Sequence, residues 1–121
     1  MFLNDLFTIL SETTEGAKSV FTIKLNREHP IFSGHFPGSP ITPGVCIVQM
    51  AVDLFAYVQG KTCRLAGAKN IKFLQIIKPE ERDEVEYQLS WEPVGNDYFK
   101  VKAVVCSGEI VFAKMSLQIA C

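Results

Sequence analysis

From Val45 to Val58, twelve of fourteen residues are apolar. Pro43 ahead of this run suits the first position of a helix, because its missing N–H is no loss there, and Thr42 is placed to cap it. Gly60 supplies the stop. A helix apolar around nearly its whole circumference cannot lie on a surface with one face in water, so it must be buried almost all round. The run is too short to span a bilayer, which takes about 20 residues.

The wrapping has to come from the rest of the 121 residues, a length that fits one domain. The period there is two. Phe21, Ile23 and Leu25 alternate with polar neighbours within Ser19–Asn26. Val85, Tyr87, Leu89 and Trp91 do the same, then Phe99, Val101, Ala103 and Val105, then Val111, Ala113, Met115, Leu117 and Ile119. A further strand is expected over Leu65–Ile77, ending at Lys78-Pro79. Gly95-Asn96 and Ser107-Gly108 fall where hairpin turns belong. The sum is one helix against an antiparallel sheet, an α+β architecture in a single domain over residues 1–121.

Composition excludes several roles. With 48% hydrophobic residues the chain is not disordered, and a net charge of −1 gives no basic footprint for nucleic acid. Met1–Leu10 lacks the basic start and small-residue cleavage site of a signal peptide. Cys46, Cys63, Cys106 and Cys121 form no C-x-x-C pair and lie far from both histidines, which argues against a metal site. Reduced, buried thiols in a cytoplasmic protein are the expectation.

Two features depart from a plain core. Gln49 and Asp53 interrupt the apolar helix four residues apart, so they stack on one face. From pattern alone they are either solvated or a functional pair, since a buried carboxylate is costly without partners. The second feature is the loop Gly34-His35-Phe36-Pro37-Gly38-Ser39-Pro40-Ile41-Thr42-Pro43-Gly44. It frames one histidine just ahead of a helix N-terminus, where unpaired N–H groups and the positive dipole end lie. A base beside fixed donors suits proton abstraction next to a carbonyl. His29 has the same chemistry without that frame and reads as structural.

These residues resemble the FabZ-type 3-hydroxyacyl-[acyl-carrier-protein] dehydratases. The likeness rests on the His35-Phe36-Pro37-Gly38 loop, on Pro43-Gly44-Val45 opening the helix, and on Gly67–Phe73 with Lys78-Pro79. It implies a hot-dog fold, one long helix wrapped by a curled antiparallel sheet. It also implies a dimer or trimer of dimers with sites shared between subunits. His35 is then the base, and the Gly44 N–H binds the thioester carbonyl. The family's acid position, usually Glu, or Asp in FabA-type relatives, is Gln49 here, with Asp53 where the family often has Gln. A glutamine amide cannot deliver a proton. Three routes stay open: Asp53 through a water, His35 in both roles, or a weak or inactive subunit completed by another hot-dog chain. An acyl thioesterase is a further alternative. Phe36, Val45 and Phe73 are expected to line the acyl pocket, and Lys69, Lys72, Lys78 and Arg82 to form a rim for acidic acyl carrier protein. The resemblance implies no resident cofactor, because phosphopantetheine arrives with the substrate.

Overall fold

The structure, a computed structural model, describes residues 1–121. The long helix α2 spans Gly44–Gln59 and buries every residue from Cys46 to Ala56 except Gln49, which is half-buried. It ends as expected. Gly60 is left-handed at φ +68°, and the Gly60 and Lys61 N–H groups both donate to the Ala56 carbonyl. Its start differs from the expectation by one residue. Pro43, not Thr42, is the capping residue, in extended conformation, and no side chain caps the helix. Thr42 is drawn elsewhere: its N–H donates to Ile77 O at 2.9 Å, and its buried hydroxyl has no partner in the chain.

Around α2 curls one six-stranded antiparallel sheet. Its strands are β1 (Phe7–Glu15), β2 (Lys18–Leu25), β3 (Arg64–Phe73), β4 (Glu84–Pro93), β5 (Tyr98–Ser107) and β6 (Ile110–Ala120). The spatial order is β1-β2-β4-β5-β6-β3. Most of the alternating residues face the helix as their period requires; at the start of β6 a register shift against β5 buries Phe112 in place of Val111. Phe21, Ile23, Leu25, Val85, Tyr87, Leu89, Val101, Ala103, Val105, Ala113, Met115, Leu117 and Ile119 are all buried. Two contacts fix the helix on that face. Tyr87 donates its hydroxyl to Ile47 O at 2.9 Å, and Phe55 meets Trp91 and Phe99 edge-on at 5.4 and 5.1 Å between ring centres.

Three differences from the sequence reading have local causes. The strand β1 has no apolar alternation to reveal it, because it is an edge strand with Phe7 its one buried residue. The other edge strand, β3, stops at Phe73 rather than Ile77. The Leu74 and Gln75 N–H groups both turn to Phe112 O, and the chain then leaves the ladder so that Ile77 can meet Thr42. The cysteines are not all reduced. Cys63 and Cys121 form a disulfide, while Cys46 and Cys106 are free and buried. The cause is register: Arg64 pairs with Ala120, so the residues just outside that pair face each other with Cα atoms 4.1 Å apart.

Candidate active site

The histidine loop is built from one helical turn, α1 (Ile31–Gly34), and a small closed turn. His29 opens it in the structural role expected. One ring nitrogen, Nδ1, accepts the Ile31 N–H, and Nε2 lies 3.1 Å from the Asp5 carboxylate. His35 closes α1, with its N–H on Ile31 O at 3.0 Å and its carbonyl accepting the Ile41 N–H at 2.9 Å. Phe36 and Ser39 exchange backbone hydrogen bonds around Pro37-Gly38, with Gly38 at φ +76°. The His35 backbone is therefore held on both sides. Its ring stacks on Phe36, 4.2 Å between centres, and its buried Nδ1 has no partner. No carboxylate of this chain orients the ring.

Gly44, the first residue of α2, presents an N–H with no acceptor in the chain. A side chain there would collide with Phe73, whose ring atoms lie 2.7 and 2.9 Å from the position a Cβ would take. A larger residue at position 44 must therefore displace the Phe73 ring at the end of β3. Beside it opens a cleft of about 300 Å³ lined by Ile41, Thr42, Gly44, Ile47, Phe73 and Leu74–Ile77. Its walls are mostly apolar, and one helix-start N–H lies among them. Of the three expected lining residues, Phe73 is in this cleft. Phe36 is half-exposed and Val45 is 75% exposed, and neither lines it.

The polar pair on α2 is not solvated. Asp53 is 2% exposed, and both of its oxygens accept hydrogen bonds. Gln49 Nε2 donates to Oδ1 at 2.8 Å, and the backbone N–H of Phe2 donates to Oδ2. The Phe2 donor lies outside any reading of the sequence, because a backbone amide carries no side-chain signature. Two charge-assisted bonds offset the cost of burying the carboxylate.

The four expected rim residues are all exposed. Lys69 and Lys72 lie on β3, and Lys72 pairs in register with Lys114 on β6, a residue the sequence reading did not include. Lys78 lies in the segment after β3. Arg82 points its guanidinium to the Ser107 hydroxyl at 2.6 Å, toward the β5–β6 turn.

Comparison with known proteins shows the family and the fold. Residues 11–110 match the family described as ApeI-like, ApeI dehydratase. The chain is similar to proteins named 3-hydroxyacyl-[acyl-carrier-protein] dehydratase FabZ. The one from Caldicellulosiruptor bescii is 33% identical across 84% of this chain and 81% of its own. The one from Ligilactobacillus salivarius is 30% identical across 85% and 82%. Among solved structures, the dehydratase heterocomplex ApeI:P from Xenorhabdus doucetiae superposes with a TM-score of 0.68 at 14% identity, covering 93% of this chain and 96% of that one. A mutant thioesterase from Pseudomonas aeruginosa gives 0.63 at 11% identity, covering 94% and 79%. At such identities these last two establish the hot-dog fold alone.

Proposed function

The chain belongs to the ApeI-like dehydratase family, and on that premise we propose that it removes water from 3-hydroxyacyl thioesters on acyl carrier protein. The products are trans-2-enoyl thioesters in fatty acid or related acyl-chain synthesis, and the enzyme is a lyase. The observation that carries this reading is the family match over residues 11–110, which takes in the histidine loop, the start of α2 and the strand beside it.

The chemistry assigns roles as follows. His35 takes the C2 proton, the task of a base that works near neutral pH. The thioester oxygen gains charge and receives the Gly44 N–H, already in place at the helix start. The acyl chain lies in the apolar cleft against Phe73. Gln49 orients the 3-hydroxyl but has no proton to give. Asp53 is buried behind Gln49 with both oxygens occupied, which favours His35 over Asp53 as the source of the second proton. His35 returns the C2 proton to the departing hydroxide. The C2–H and C3–O bonds break, the C2–C3 double bond forms, and water leaves. Phosphopantetheine is part of the substrate, and no further cofactor enters.

A second copy completes the site in this reading. The His35 ring has no orienting partner in its own chain, and the exposed edge at β3 carries Ile71, Phe73, Leu74 and Ile76. We infer a homodimer or trimer of dimers. Gln49 favours one second reading, a heteromer in which another hot-dog chain supplies a carboxylate, and the likeness to a dehydratase heterocomplex supports it. No helix is long and apolar enough to cross a membrane. Carrier-linked substrates fit a cytoplasmic enzyme.

The experiment is turnover of carrier-linked 3-hydroxyacyl substrates, followed as enoyl thioester formation. His35→Ala is expected to lose roughly 10²–10⁴ in rate while keeping its fold. Full activity in that variant overturns the dehydratase reading. Release of free thiol in place of enoyl product identifies a thioesterase.

A further inference from the structure

We propose that Asp53 is a positioning residue that fixes which end of the Gln49 amide faces the substrate, and thereby makes the site select a 3-hydroxyl over a 3-oxo group. This rests on the dehydratase reading above. An ionised carboxylate only accepts hydrogen bonds. Asp53 therefore holds Gln49 by its nitrogen, Nε2 to Oδ1 at 2.8 Å, and commits that end of the amide inward. The other carboxylate oxygen is occupied by the Phe2 N–H, a backbone donor that cannot reverse its role. The Phe2 carbonyl in turn accepts the N–H groups of Asp5, Leu6 and Phe7 at 3.0, 2.8 and 3.3 Å, so the N-terminal turn that carries this donor is itself tied down. The open end of the amide is Gln49 Oε1. It has no partner within the chain and is not sealed from the surface.

The presented group is thus an acceptor. A 3-hydroxyl donates to it. A 3-oxo group has nothing to donate and sets one carbonyl oxygen against another. The frame also predicts how the preference is lost. In Asp53→Asn, the Phe2 N–H still requires an acceptor and takes Oδ1. The Asn nitrogen then faces Gln49, whose amide turns over so that Oε1 points inward and Nε2 outward. The site becomes a donor, which a 3-hydroxyl and a 3-oxo group both satisfy.

The test is calorimetric binding of two amide-linked acyl-pantetheine analogues, alike except for a 3-hydroxyl or a 3-oxo group, to the full chain. An amide in place of the thioester holds back turnover. Wild type is expected to prefer the hydroxyl by at least about tenfold, the worth of one hydrogen bond. Asp53→Asn is expected to bring that ratio close to one, because a hydroxyl and a ketone can both accept from the exposed Nε2, and Gln49→Met to abolish the preference as well. A purely structural Asp53 weakens both analogues alike and leaves the ratio unmoved, which overturns the proposal. If Asp53→Asn does not fold, Gln49→Met decides, because a hydroxyl preference retained there overturns it equally. Turnover by wild type without hydroxyl preference overturns this proposal and leaves the dehydratase reading standing. Failure of wild type to bind either analogue or turn over substrate overturns both.

Discussion

The ring of Phe73 occupies the space that a side chain on Gly44 would need, with its nearest atom 2.7 Å from the Cβ position. The contact joins the start of α2 to the last residue of β3, and the proposed oxyanion donor to the wall of the cleft. Gly44→Ala must push the ring aside. Phe73 is 50% exposed and can move, so the fold survives with a loss of about 1 kcal/mol. The cleft does not keep its shape, and kcat/KM is expected to fall about tenfold or more. Phe73→Ala in the same chain removes the clash and should recover part of the loss, a coupling read directly from the double-mutant cycle.

The pair Cys63 and Cys121 closes a loop across 58 residues and staples the edge strand β3 to β6. By loop-closure entropy such a link stabilises by up to about 4 kcal/mol. Cys63→Ser is expected to lower the melting temperature of oxidised protein and to leave reduced protein unchanged. Thiol counting in denaturant should find two free thiols before reduction and four after.

Cys106 is a different case. Burial, together with its hydrogen bond to the Glu86 carboxylate and that group's charge, pushes the thiol up to about 11. The folded thiol stays neutral at a pH where the unfolded one ionises. Its contribution to stability is complete below pH 9, the ordinary thiol value, and is lost as pH rises through about 11. Wild type should therefore lose more melting temperature than Cys106→Ala between pH 8.5 and 11. At pH 8 the native thiol should resist iodoacetamide.

Lys72 and Lys114 stand opposite each other across β3 and β6, two like charges that repel in the free protein. An acidic carrier protein docked at this rim, as proposed, would relieve that repulsion. Changing both to Glu is expected to raise KM for carrier-linked substrate several-fold and to leave KM for the same acyl group on pantetheine unchanged. The difference should shrink at high salt.

Much of this molecule follows from local pattern. Twelve apolar residues in fourteen require a buried helix, Gly60 ends it, and period-two alternation assigns the inward face of β2, β4, β5 and β6 except where β5 and β6 shift register, at which Cys106 and Phe112 are buried and Val111 is not. The order of His35, Gly44 and the helix after them was enough to name a family. These features are legible because burial repeats at the period of the backbone that creates it.

Other relations were decided by tertiary structure, for one physical reason: they depend on which distant segments meet. Register alone brings Cys63 to Cys121. The departure of the chain at Phe73 lays that ring on Gly44 and sends Thr42 to Ile77. A backbone amide at Phe2, invisible as a residue type, reaches across 51 positions to Asp53. The pair Gln49 and Asp53 was visible as two polar residues one helical turn apart. Only the packed N-terminal turn ties the inner one down and leaves the outer one with an amide oxygen unpartnered in the chain.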